Sequence, residues 1–307
     1  MNIRQLQLLC RVVDSGLNVS RAARLTHTSQ PNVSRHLHAL ELELGIGLFV
    51  RSKKRILALT DAGLEALNAA RRAIKEIESI GRIGKASVAE EKGNLTIAAS
   101  HAHARYSLPE VVKKFTTLHP KVRLVLQQGS PDQIANWVGL GQADMAITSE
   151  TSRIASDLAL FPCHKHSRIL LVPKRHPLAK LKKPTLGRLA KYPLITYNAS
   201  FSVHRRVEEA FSRKGLKPNI VLSATDADVM KTYVRQGLGV AIVASIAFSE
   251  KEDKDLCAID ANHLFEPNVI NIALRKGTYL KPYVYDFIEL FSPALKRNRV
   301  DAILFDT

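Results

Sequence analysis

Ala22-Ala23-Arg24-Leu25-Thr26-His27-Thr28-Ser29-Gln30-Pro31-Asn32-Val33-Ser34-Arg35-His36-Leu37 decides the reading of the chain. Ser29 stands where a helix N-cap belongs, and Pro31 suits a first turn whose amides have no intrahelical acceptor. Val33, Leu37, Leu40 and Leu44 then recur at helical spacing until Gly45, which ends a helix at low cost. The other face carries Gln30, Asn32, Ser34, Arg35 and His38, side chains able to reach base edges and phosphates. Upstream, Leu6, Leu9, Cys10 and Val13 form a helical stripe before Gly16, and Asn18 can cap a second short helix with Val19, Ala22, Ala23 and Leu25 on its buried side. Thr26-His27-Thr28 is the turn. Three short helices divided in this way predict a helix-turn-helix whose third helix enters the major groove.

Downstream, the run from Leu48 to Leu57 places Arg51, Lys53, Lys54 and Arg55 at the tip between two apolar stretches, as in a β-hairpin wing that touches phosphate. Thr60 caps a longer helix expected over residues 61–88. Its small and aliphatic positions, Leu64, Leu67, Ala70, Ile74, Ile77 and Ile80 among them, exceed what one small domain covers and predict a self-pairing helix. Residues 1–59 thus read as a DNA-binding domain and 60–90 as a linker and dimerisation helix.

Charge supports this division. The 307 residues carry 45 Lys and Arg against 28 Asp and Glu, a net +17, and residues 1–60 hold nine of the basic side chains against Asp14, Glu41 and Glu43. A dense basic segment on such a motif points to a polyanion partner. Three cysteines, Cys10, Cys163 and Cys257, are too few and too far apart for a disulfide framework or a finger-type zinc site. The polar start of the chain and the absence of long apolar stretches predict a cytoplasmic protein without a membrane span.

From Gly93 the pattern changes to alternating strands and helices, with strands expected at 95–99, 122–126, 144–147, 169–172, 194–197, 220–223, 240–243 and 269–274. Gly237-Leu238-Gly239 reads as a tight helix-to-strand turn rather than a phosphate loop. No nucleophile elbow with a paired base is present, so the chain is not expected to be an enzyme, and no cofactor is implied. Two rival readings are a solute-binding component, suggested by the α/β pattern, and an architectural DNA binder, for which the basic charge would suffice.

The helix-turn-helix run, with Leu40-Glu41-x-Glu43-Leu44-Gly45-x-x-Leu48-Phe49 and Leu59-Thr60-x-Ala62-Gly63 after it, resembles the LysR-type transcriptional regulators over the whole chain. Ala104-Arg105-Tyr106-Ser107-Leu108-Pro109, Gln128-Gly129-Ser130-Pro131 and residues 224–239 resemble its CysB/Cbl branch, regulators of sulfur assimilation. The resemblance implies an α+β multidomain chain, in which residues 91–307 form an effector-binding domain of two α/β subdomains like a periplasmic binding protein, with the ligand between them. Subdomain I is expected at about 91–162 and 267–307, and subdomain II at about 163–266. The implied partners are promoter DNA, a small anionic effector of the sulfate or acetylserine class, RNA polymerase and further copies of the chain, as a tetramer built from two kinds of dimer.

Carried over by the motif, the ligand-binding positions are Ser100, Ala102, His103, Ser149 and Ser202, with His166 in place of the branch's aromatic residue. Ser130, beside Gly129 at a strand end, is a further candidate. The serines keep a hydroxyl where the branch usually has threonine; Ala102 lacks one, and His103 replaces a glutamine. His103 supplies either a neutral donor or, when protonated, a charge, and in the charged case anion binding tightens as pH falls. His101, His103, His164, His166 and Cys163 are ligand types that suit zinc or copper. Nothing in the sequence brings the pairs together, and no metal is assigned to them.

Overall fold

The computed structural model describes residues 1–52, 55–83, 92–149 and 157–305. Its contacts divide the chain into two units, Met1–Glu90 and Glu91–Thr307.

The first unit runs α1 (Ile3–Asp14), α2 (Val19–Leu25), α3 (Gln30–Leu44), β1 (Phe49–Ser52), β2 (Arg55–Leu59) and α4 (Asp61–Ile83). Asn2 and Gln5 close a capping box at the start of α1, and the Asn18 side chain accepts from the Arg21 amide to start α2. Between those helices the chain reverses through two left-handed residues, Gly16 and Leu17. Glycine makes the first inexpensive; the second is a conformation leucine rarely adopts. Leu8, Leu9, Val12, Ala22, Val33, Leu37, Leu40 and Leu48 fill the core, together with Leu67 and Ala70 of α4. The Thr60 hydroxyl donates to the Gly47 carbonyl and accepts from the Gly63 amide, fastening α4 to the end of the helix-turn-helix. A Cβ at Gly63 would stand 2.0 Å from the Leu48 carbonyl oxygen, which explains a glycine inside a helix at this crossing. Of the helix expected over 61–88, residues 84–88 lie outside the described residues.

The second unit holds two five-stranded sheets. In the first, β3 (Gly93–Ala99), β4 (Val122–Gln128) and β5 (Met145–Thr148) are parallel, with α5 (Pro109–Leu118) and α6 (Pro131–Gly139) as crossovers. The sheet then gains β6 (Leu158–His166) and, from the end of the chain, β12 (Asn268–Arg275), which runs antiparallel to both β5 and β6. Its strand order is β4-β3-β5-β12-β6. In the second sheet, β7 (Arg168–Pro173), β8 (Leu194–Tyr197), β9 (Ile220–Ala224), β10 (Val240–Ala244) and β11 (Leu256–Asp260) take the order β11-β7-β10-β8-β9. Helices α7 (Leu186–Leu189), α8 (Ser202–Ser212) and α9 (Ala227–Arg235) lie between these strands in sequence, and α10 (Pro282–Phe291) with α11 (Arg297–Leu304) returns to the first subdomain. Each sheet has its own core, one around Leu170, Ile195, Phe211 and Ile242, the other around Ile97, Phe115, Phe161 and Phe287. Truncating one of these phenylalanines to alanine costs about 3–5 kcal/mol.

Strand β6 continues through His166, so the chain leaves the first sheet at Ser167, beyond the expected 162/163 boundary. The return passage is bonded to it: the Arg168 carbonyl accepts from the Ala261 amide at 2.9 Å, and the Arg168 amide donates to Asn262 Oδ1 at 3.1 Å. The two sheets are therefore joined by a pair of adjacent crossing segments.

Candidate functional site

In the first unit, the start of α3 projects Gln30, Pro31, Arg35 and His38 into solvent, while Val33, Leu37 and Leu40 anchor the other side. Gln30 Nε2 donates to Ser34 Oγ at 3.3 Å, which ties two of the expected base readers together. Three expectations change. Ser29 occupies the N-cap with extended backbone but makes no side-chain cap bond. The amide of Asn32 donates to Thr28 Oγ1 at 2.8 Å, so its NH2 end serves the turn. Arg51 is held by Glu41 at 2.9 Å, and Glu41 also accepts the Leu48 amide, so this wing arginine braces the hairpin against α3. Arg55 is exposed, whereas Lys53 and Lys54 lie outside the described residues.

In the second unit, a cavity of about 40 Å³ opens between the two sheets. The polar lining is Ser100, His103, Ser149, His166, Arg168, Tyr197 and Asn268, and Ala102 with several apolar side chains completes the wall. The fold explains this convergence: Ser100 follows β3, Ser149 follows β5, Tyr197 ends β8 and Ala244 ends β10. All four positions lie at carboxyl ends of strands, where open α/β sheets collect ligands. His166, Arg168 and Asn268 come instead from the two crossing segments.

The site holds a buried cation yet keeps its imidazoles neutral. Arg168 is 4% exposed, an unusual burial for a guanidinium. Burial pushes His103 down to about 3, with the His166 and Arg168 charges adding to it. Burial likewise lowers His166, helped by His164 and Arg168. His103 Nδ1 lies 3.3 Å from Ser107 Oγ, which leaves its other ring nitrogen as a donor or acceptor for the cavity. Of the two forms expected for His103, the neutral one fits this environment.

Two expected ligand positions do not reach the cavity. Ser130 is spent on a capping box at the start of α6, accepting from the Gln133 amide at 3.4 Å. Ser202 opens α8 between Phe201 and Val203, which do line the wall; successive helical side chains diverge by about 100°, and Ser202 is on the side left out. Arg168, Tyr197 and Asn268 were not expected. The signal for Arg168 was a lone charge at the head of the apolar run Ile169-Leu170-Leu171-Val172.

His164 Nε2 meets the Phe291 carbonyl at 2.8 Å, so this histidine braces α10; His103 and His166, one from each pair, share the cavity wall, but among the described residues the pairs form no group of three with metal-ligand spacing. The described residues do bring His101, Asp226 and Asp228 within metal-binding distance of one another. Arg105 and Tyr106 already occupy the Asp228 carboxylate, and Asp226 accepts the Val229 amide at the head of α9. That trio fits an organic ion pair better than a cation site. No helix among the described residues is long and apolar enough to cross a membrane.

The sequence pattern of the LysR substrate binding domain matches residues 89–296, and that of the bacterial regulatory helix-turn-helix protein, lysR family, matches residues 3–64. The chain is 44% identical to the HTH-type transcriptional regulator CysB of Burkholderia cenocepacia, a match covering 99% of this chain and 97% of that protein. It is 42% identical to the HTH-type transcriptional regulator Cbl of Escherichia coli strain K12, over 96% of this chain and 93% of the other. The crystal structure of the cofactor-binding domain of the Cbl transcriptional regulator shares 42% identity with a TM-score of 0.67, covering 71% of this chain and 96% of that one. These relatives are regulators rather than enzymes, and with both family patterns matched the chain belongs to the LysR family, as a DNA-binding transcriptional regulator with an effector-binding domain.

Proposed function

We propose that the regulator senses a small oxyanion, sulfate or the acidic head of an acetylserine, in the cavity between its two α/β subdomains, and adjusts transcription of sulfur-related genes accordingly. The observation that carries this reading is the buried Arg168 guanidinium facing a small cavity otherwise lined by hydroxyls, imidazoles and the Asn268 amide. Among the described residues no carboxylate lines it. A cavity with a buried cation and several donors stabilises an anion and disfavours a cation. Likeness to CysB and Cbl supports the sulfur-related class.

On the DNA side, Gln30, Pro31, Ser34, Arg35 and His38 read bases or adjacent phosphates, with Arg55 and the neighbouring wing lysines on the backbone. Self-pairing through α4 sets two such units on one operator, and the family's habit supports a tetramer in the cytoplasm, engaging RNA polymerase at the promoter. Calorimetric titration with sulfate, O-acetylserine and N-acetylserine tests the effector class. Binding of one of them by the wild type and its loss in Arg168→Met is the expected result; no heat with any of the three overturns the reading.

A further inference from the structure

The stretch that brings Ala102 and His103 to the cavity meets the opposite subdomain at one carboxylate, that of Asp228. Asp228 lies in the first turn of α9, two residues after the Asp226 cap. Its Oδ1 accepts from the Tyr106 hydroxyl at 2.7 Å. Its Oδ2 meets Arg105 Nε at 2.7 Å and His101 Nε2 at 3.2 Å. These three partners belong to the segment between β3 and α5 of the first subdomain and bracket the cavity residues Ala102 and His103 in sequence, whereas a fourth, Lys231 of α9 itself, stands 3.8 Å from Oδ1.

Tyr106 reaches further than its hydroxyl. Its ring packs against the core of the second subdomain, with Lys231 Nζ 5.2 Å and Arg105 Cζ 5.6 Å from its centre. Lys231 is 3% exposed and paired with the equally buried Asp253 at 2.8 Å, so the floor beneath the tyrosine is fixed. What lets one short segment serve both sides is its backbone: His103–Ser107 is a π-helical turn. The wider turn re-aims side chains relative to an α-helix, and such turns are frequent at functional positions. Here it sends His103 into the cavity and Tyr106 across the divide.

An ion pair as exposed as Arg105 with Asp228 would by itself hold little. The hold comes from combining it with a hydrogen bond from a half-buried tyrosine and with the packing of that ring.

We propose that Asp228 is the positioning residue of the effector cavity: from the second subdomain it fixes His101, Arg105 and Tyr106, and so couples the presentation of Ala102 and His103 to contact between the subdomains. The proposal rests on reading the cavity as the anion site. Because coupling is reciprocal, an anion that orders residues 100–103 also strengthens the Asp228 contacts.

The test uses the full-length protein, with hydrogen exchange at residues 100–108 measured without added anion and sulfate binding measured by calorimetry. Asp228→Asn should speed exchange of these amides about tenfold or more, and weaken sulfate by a similar factor, while strand β8 and the DNA-binding unit exchange as in wild type. Asp228→Glu should recover part of both effects. Arg105→Ala combined with Asp228→Asn should add little to Asp228→Asn alone, since the partner is already gone. Tyr106→Phe, which removes only a hydroxyl, should give a smaller effect in the same direction and covers the case in which Asp228→Asn does not fold. Wild-type exchange at 100–108 in Asp228→Asn overturns the proposal, as does a loosened segment with unchanged sulfate affinity. A wild type that binds no sulfate overturns the anion reading instead, and the anion-free exchange still decides whether Asp228 holds the segment.

Discussion

Arg206 Nη1 donates to Oδ1 of Asn268 at 2.7 Å. A guanidinium only donates, so the oxygen end of this amide is committed to α8 and the NH2 end is the one left for the cavity that Asn268 lines. The Asn268 side chain is thereby turned into a dedicated donor. Arg206→Ala should free the amide to rotate and weaken anion binding by about tenfold, the scale of a hydrogen bond to a charged group. Unchanged affinity by calorimetry would show that the orientation of Asn268 does not matter.

Arg168→Met should separate ligand binding from stability. Without an anion, the melting temperatures of wild type and variant set the reference for each protein. With sulfate at about a hundred times its wild-type dissociation constant, the wild type should gain about 2.7 kcal/mol and the variant nothing. Paired thermal melts with and without sulfate read both effects, and an anion-dependent shift that survives in Arg168→Met would remove the guanidinium from the binding scheme.

His103 carries a pH dependence opposite in sense to one based on a charged imidazole. Its native pKa, near 3 through burial and then through His166 and Arg168, lies below the ordinary value of 6.5 that the unfolded chain regains. The unfolded state therefore binds the proton first. The stability associated with neutral His103 is complete above about pH 6.5 and is lost as pH falls toward about 3, at up to about 1.4 kcal/mol per pH unit. Denaturant unfolding across that window should show a shallower acid loss for His103→Gln than for wild type. Between about pH 8 and 7, where the free imidazole stays neutral, sulfate affinity of the two proteins should be equally flat. Tighter binding by wild type alone over that interval would restore the charged form.

The helix-turn-helix was legible because several local rules agree there: the Asn18 and Thr60 caps, the apolar stripe of α3 and the left-handed Gly45 all act within a few residues. Ser100 and Ser149 came from the family resemblance, and the fold sets both on the cavity wall because each follows a strand end. Strand β6 was not legible, since Pro162 and the polar run His164-Lys165-His166 read against a strand. It survives because it is the edge of its sheet, where proline costs least. Arg168 escaped because the first residue of a strand carries no local mark of where its side chain goes; only the pairing of two crossing segments sets it in the cavity. Ser130 shows the converse, a hydroxyl at a suitable position that a helix start claims first, while Ser202 falls on the side of α8 away from the cavity.

For the DNA-binding unit, Arg35→Ala should cost about 1–3 kcal/mol on operator DNA and relax preference at the bases it reads. Arg55→Ala should weaken all sequences alike and reduce the magnitude of the salt slope by about one. Arg51→Ala should behave differently from both. Because Glu41 holds Arg51 and also accepts the Leu48 amide, the expected effect is a loosened hairpin. Salt-dependent binding titrations on operator and random DNA distinguish the three, and an Arg35→Ala protein with full operator affinity would displace α3 as the reading helix.

The last expectation concerns α4. Its Leu67 and Ala70 are buried against the helix-turn-helix core, with Ala66 and Ile74 packed beside them, whereas Ile77 and Ile80 are 38% and 69% exposed. Residues three apart share a helix face, so Ile77 and Ile80 extend the stripe begun by Ile74 past the point where the first unit can cover it. Fully burying such a side chain contributes about 1.5–3 kcal/mol, and a symmetric pairing would engage each of them twice. An Ile77→Asp, Ile80→Asp double variant should therefore sediment as a smaller species at micromolar concentration and lose cooperative binding to paired half-sites. The melting of the first unit should change little, because neither side chain contributes to its buried core. A double variant that sediments like wild type would move the pairing surface elsewhere, and a wild type already monomeric under the same conditions would remove self-pairing altogether.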